Sequence, residues 1–149
     1  MNDKYNEIMQ DTIDTGSDLS GILSKIEEGN EGRGAMLLDY VSFSVVYRYI
    51  QRYNERYNRK ILRLMVTLTA SEDEDERRFE NAVSEVGYIL KNTLRRSDVI
   101  VQHSPNQFIV LLLECTDQNF LAVFDRVLSR WSSSRYHDSI NIEYVTTST

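Results

Sequence analysis

The stretch RRSDVIVQHSPNQFIVLLL, residues 95–113, leaves the chain few ways to fold. Two runs rich in Val, Ile and Leu, at residues 98–103 and 107–113, flank the polar tetrapeptide Ser104-Pro105-Asn106-Gln107. Short runs of this kind read as strands, and so brief a polar link between them predicts a tight antiparallel hairpin. An arginine and an aspartate, Arg95 and Asp98, stand immediately before it. What that pair does, and whether the tip carries chemistry, are the questions the rest of the chain has to answer.

Periodicity on either side extends the hairpin into a sheet. ILRLMVTLT at 61–69 is rich in β-branched and large apolar residues and reads as a central strand. Phe79, Val83, Val86, Leu90 and Leu94 recur at helical spacing, preceded by five consecutive acids at 72–76. Those acids suit the positive N-terminal end of that helix, which accounts for the run without a metal. Downstream, Phe120, Phe124, Val127, Leu128 and Trp131 mark another amphipathic helix, SSSRYHDS a loop, and INIEYVTT a strand with one exposed face. From Ile61 onward the order is strand, helix, strand, strand, helix, strand. That predicts an α+β fold of the split βαβ, ferredoxin-like kind, with a mostly antiparallel sheet and helices packed on one face.

Upstream, residues 42–59 place Phe43, Val46, Tyr47, Ile50, Tyr53 and Tyr57 on one side of a helix, and Arg48, Arg52, Arg56 and Arg59 on another. The basic stripe reads first as a solvated face whose stems cover apolar surface, and second as a surface for a partner or a phosphate. Residues 18–28 form a short helix with Leu19, Ile22, Leu23 and Ile26 on one face, followed by the glycine-rich loop EGNEGRG. The first sixteen residues are polar and unpatterned, which predicts a frayed tail. The expected organisation is a tail and short helix over residues 1–33 and one compact domain over residues 34–149, a chain length at which a single core is normal.

Charge and cysteine content remove several classes of function. Seventeen basic against twenty-three acidic side chains, net −6, argue against a nucleic-acid backbone as main partner. A lone cysteine, Cys115, excludes an internal disulfide and any cysteine-rich zinc site, and fits a reducing cytoplasm. No run approaches the length of a membrane span, and the N-terminus lacks a signal layout, so no membrane role is expected. His103 and His137 stand apart from each other and from Cys115, which suggests neither a metal site nor a Cys-His dyad. Ser104 lacks the Gly-x-Ser-x-Gly setting of a hydrolase nucleophile, and Trp131 with its phenylalanines reads as core.

The element order, with LRRSDVIVQHSPNQFIVLL at its centre, resembles the GGDEF domain of diguanylate cyclases. In that family an R-x-x-D motif lies five residues before a five-residue signature at a hairpin tip. Here Arg95-Arg96-Ser97-Asp98 is followed by residues 99–103 and then by Ser104-Pro105-Asn106-Gln107-Phe108, without a gap. GAMLLDYVSFSVVYRYIQRYNER is similar to a divergent form of the family's leading segment and helix, and the likeness spans about residues 34–146.

The resemblance implies a fold and, where it breaks, a loss. A cyclase joining two GTP molecules holds divalent metal with carboxylates and lets backbone approach the nucleotide closely. This chain has Ser104 and Pro105 where the signature has two glycines, and Asn106 and Gln107 where it has two acids. Proline fixes φ and removes a backbone donor, and amides replace anionic ligands. The family's Asp-x-Asp at the end of the first strand is Thr67-Leu68-Thr69 here, and Asp73 or Asp75 on a loop lacks the fixed octahedral geometry magnesium demands. The expectation is a catalytically inactive domain with no catalytic residue, metal or cofactor. It would act in bacterial signalling, two-component systems included, by protein interaction or as a homodimer, with a sensor or response-regulator partner and residues 18–28 as the docking segment. The alternative is a cyclic di-GMP receptor: Arg95 would fork onto guanine or phosphate, and Asp98 would accept from guanine. Against it stands a local role, with Asp98 capping or bridging where helix gives way to strand and Arg95 facing water. A residual nucleotide cyclase using the acids at 72–76 is the reading of a different class.

Overall fold

The structure is a computed structural model describing residues 16–30 and 32–148. The frayed tail expected at the start lies, Gly16 apart, outside the described residues. Contacts divide the chain into Met1–Arg33 and Gly34–Thr149. In the first part, helix α1 spans Gly16–Glu27 and a 3-10 turn follows at Glu28–Asn30. Leu19, Ile22, Leu23 and Ile26 form an exposed row on α1.

The second part runs β1 (Met36–Leu38), α2 (Tyr40–Tyr57), β2 (Ile61–Ala70), α3 (Glu76–Thr93), β3 (Val99–Ser104), β4 (Gln107–Leu113), α4 (Asp117–Ser132) and β5 (Ile140–Ser148). The five strands form one sheet in the order β1-β3-β4-β2-β5. β2, β3, β4 and β5 pair antiparallel, and only β1 lies parallel to its neighbour β3. The helices start where the sequence offers an acceptor: the side chain of Asp39 caps α2, Asp75 caps α3 and Thr116 caps α4, each accepting from the backbone N–H three residues on.

Strand alternation decides which helix covers which face. Leu62, Leu64, Val66 and Leu68 point to one side and pack with Ile100, Val110 and Leu112 under α3 and α4. Ile61, Val99, Val101 and Leu111 point to the other and meet Phe43 and Ile50 of α2. Each of those four β2 side chains, fully removed from water, contributes about 1.5–3 kcal/mol. A one-residue slip would move all four off the core under α3 and α4 and onto the α2 face, so the packing fixes the register.

The two helices after Ile61 share a face, as their order predicts, while α2 covers the opposite face. Sequence reading also gave no strand at Met36–Leu38. Three residues are too few for a periodic signal, and this strand depends on a tertiary lock: Ala35 N donates to Lys91 O at 2.8 Å and Met36 N to Asp98 O at 2.9 Å. Gly34 makes that approach possible. Its φ is +78°, and a Cβ there would sit 2.0 Å from Lys91 O.

Tyr53 and Tyr57, expected on the packed side of α2, are exposed. Tyr53 is rotated about 60° from Ile50 around the helix axis. Asn54 is the residue of the last turns that points inward, and its side-chain oxygen is buried with no hydrogen-bond partner.

Candidate functional site

The hairpin β3–β4 has two ends with different chemistry. At its tip, Ser104 pairs with Gln107 and the ladder shifts by a residue between Gln102 and Ser104, so His103 bulges outward and is exposed. His103 faces Tyr40, with ring centroids 6.5 Å apart. The tip's amides are used locally. Asn106 Nδ2 donates to Leu68 O at 3.0 Å while Leu68 N donates to Asn106 O at 2.9 Å. Gln107 Nε2 donates to Thr67 Oγ1 at 3.3 Å, and Ser104 Oγ donates toward the side-chain oxygens of Asn106 and Gln107 at 3.1 and 3.0 Å. The tip is thus stitched to the C-terminal end of β2, the strand end where the resemblance would place metal carboxylates. Phe108 is buried in the core behind it.

Beside this stitch lies a depression of about 410 Å³, lined by Leu68, Thr69, Ser71, Glu74, Phe79 and Asn106. The acidic run reaches its rim, but three of its five acids are engaged in local structure. Asp75 Oδ2 accepts from Arg78 N at 3.0 Å, and Glu74 Oε1 accepts from Arg78 Nη1 at 2.6 Å. Hydrogen bonds from the Ser71 side chain and from its own backbone N–H hold the Asp73 carboxyl below the usual carboxylate range. Arg78 also donates from Nη2 to Arg135 O at 3.0 Å and lies over the Tyr136 ring, so the helix start and the loop before β5 are held together by one guanidinium. Among the described residues no three His, Cys, Asp or Glu side chains gather to hold a metal ion.

At the root, Asp98 is 1% exposed and both its oxygens are occupied. Oδ2 accepts from Arg95 N at 2.9 Å and Oδ1 from Leu113 N at 3.2 Å, and the guanidinium of Arg95 reaches the same carboxylate at 3.4 Å. Asp98 N closes the turn onto Arg95 O at 2.9 Å. The half-exposed Arg95 also donates to Leu113 O. Asp98 therefore joins the end of α3 to the end of β4, and a guanine could gain its carboxylate only by displacing these bonds. The Arg95 side chain instead borders a hollow of about 400 Å³ lined by Tyr49, Ile50, Tyr53, Arg59 and Leu113. Its two tyrosines gave no ligand signal in the sequence, because Tyr53 reads there as core and Tyr49 falls outside the packed row.

The remaining candidates are scattered. Cys115 is buried, and burial pushes its thiol above the ordinary range. His137 lies in the loop after α4, 3.6 Å from Asp138. Trp131 is core. No described helix is long and apolar enough to cross a membrane.

No protein-family model matches the chain, and no curated protein matches it. Solved structures do. A diguanylate cyclase (DGC) protein from Thermotoga maritima superposes with a TM-score of 0.64 at 16% identity, over 76% of this chain and 82% of that one. The diguanylate cyclase SiaD from Pseudomonas aeruginosa, solved in complex with its activator SiaC, superposes with a TM-score of 0.73 at 11% identity, over 98% of this chain and 62% of that one. The split βαβ architecture with its added strand and helix is the GGDEF-like fold of diguanylate cyclases.

Proposed function

We propose that this chain keeps the diguanylate cyclase fold without the synthesis, and works as a protein-interaction or dimerisation module in bacterial signalling. The observation that supports this most is the reciprocal pairing of Asn106 with Leu68. A metal-bound triphosphate needs several anionic oxygens in near-octahedral array. The tip offers neutral amides already bonded to protein, and near its end β2 carries Thr67, Leu68 and Thr69. SiaD was solved with an activator protein, which favours a protein partner here too; a sensor or response regulator is the expected kind, in the cytoplasm, with α1 as the relaying segment. Purified protein incubated with GTP and magnesium or manganese should yield no cyclic dinucleotide on chromatography. Product formed in proportion to protein would overturn the proposal and revive the residual cyclase using the acids at 72–76. Light scattering across concentration should show self-association if the module acts as a dimer.

The root hollow favours one second reading, a cyclic di-GMP receptor. Arg95 and two tyrosines along the hollow suit a planar anion, while Arg59 there is paired with Glu114, which also lines it. Asp98 would contribute by holding Arg95 rather than by touching the ligand. Calorimetry should then show heat with wild type and none with Arg95→Ala; no heat with wild type removes the receptor.

A further inference from the structure

The outer flank of α2 departs most from an ordinary solvated helix face. Val41, Val45, Tyr49, Tyr53 and Tyr57 recur every fourth residue and are 74, 55, 65, 41 and 50% exposed. Arg48, Arg52 and Arg56 recur at the same step on an adjoining row. Val45 and Arg48, Tyr49 and Arg52, and Tyr53 and Arg56 are each three residues apart, a spacing that makes them neighbours on a helix. An apolar ridge and a cationic ridge therefore run side by side, with a groove between them.

Two features separate this flank from a bland one. Its rings lie against one another: Tyr49 and Tyr53 centroids are 6.3 Å apart, and Tyr53 and Tyr57 are 4.7 Å apart. Among the described residues, no carboxylate lies within ion-pair distance of Arg48, Arg52 or Arg56. Arg56 rests over the Tyr57 ring, 5.5 Å from its centroid. Glu55, the only acid of the helix, pairs with none of them. Three neighbouring arginines thus meet no carboxylate among the described residues.

Charge selects the occupant. A second copy of the same flank would set arginines against arginines, which disfavours self-pairing. A nucleic acid has no use for the aliphatic Val41 and Val45, and the net charge of −6 repels its backbone. An amphipathic helix carrying an apolar row beside an acidic row matches both ridges, and its own ridge of every fourth residue fits the groove in ordinary helix packing.

We infer that the outer flank of α2 docks an acidic amphipathic helix of a partner protein; this rests on the reading of the domain as an interaction module. The probe is a synthetic helix of about 18 residues, long enough to lie along α2, with leucine and glutamate rows each repeating every fourth residue. Fluorescence anisotropy should show binding by wild type, weakened at least about tenfold in Arg52→Glu/Arg56→Glu and in Tyr49→Ser/Tyr53→Ser. The substituted side chains are exposed, so circular dichroism should stay unchanged; should charge reversal disturb folding, Arg52→Gln/Arg56→Gln gives the same direction with a smaller loss. The inference is overturned if wild type ignores the probe, if a scrambled peptide of equal composition binds as well, or if the variants bind unchanged. It is also overturned if the same variants lose oligouridine binding or self-association in place of probe binding. GTP turnover in the same preparations separates the two levels: a protein that makes product yet binds the probe keeps the docking face and loses the inactive-module reading, and an inert protein that ignores the probe does the reverse.

Discussion

The tip and the root of the β3–β4 hairpin show that neutral amides and a charged pair can end in the same kind of work. At the root, Asp98 gives both oxygens to the backbone of Arg95 and Leu113. At the tip, which carries no charge, Asn106 and Gln107 give their amides to the end of β2. Both ends are architectural joints. They differ in depth: the Asp98 clasp is buried, whereas the tip is only partly covered. Burial sets the cost of breaking each, so the root should be the dearer joint in stability and the tip the one that decides chemistry.

Asp98→Ala should sharpen that contrast most. It strands the N–H groups of Arg95 and Leu113 in a partly buried turn, at about 1–3 kcal/mol by urea denaturation. A loss below about 1 kcal/mol, within the range of an ordinary exposed pair, would mean the root is no clasp. Gly34→Ala attacks the same region from β1. With φ at +78° and Lys91 O in the way of a Cβ, a loss of about 2 kcal/mol is expected in the same titration.

The sequence made the hairpin legible because its two apolar runs and polar link admit one geometry, and it made β2, α3, α4 and β5 legible because each keeps one period for several turns or residues. It hid β1, whose three residues depend on the Lys91 and Asp98 carbonyls. It hid the true inward arc of α2 as well, since six apolar residues spread over more of the helix than the sheet covers. For the candidate residues of the hairpin, no bonding partner was legible in the sequence. Nothing local says that Asn106 reaches Leu68, 38 residues away, or that Asp98 reaches Leu113.

At the tip, Asn106→Asp should cost less, about 1–2 kcal/mol, because it sets a carboxylate against Leu68 O in place of a donor. It should also leave GTP unconverted, since the charge returns without a partner on β2; conversion would show that one residue separates this tip from a working one. The smallest expected effect is at Cys115, beside the root. Burial raises its thiol, so at pH 8 the thiolate is scarcer than for a free cysteine and alkylation by iodoacetamide should be slow until denaturant is added. A rate equal to that of a free thiol would mean the root opens readily.

The claim on which the rest depends is that a tip of bonded amides cannot hold a metal-bound triphosphate. Manganese electron paramagnetic resonance reads this directly. Adding the protein to a solution of manganese and GTP should leave the resonance of the Mn·GTP complex unchanged. Saturating loss of that signal at one manganese per chain, abolished by Asn106→Ala, would contradict it.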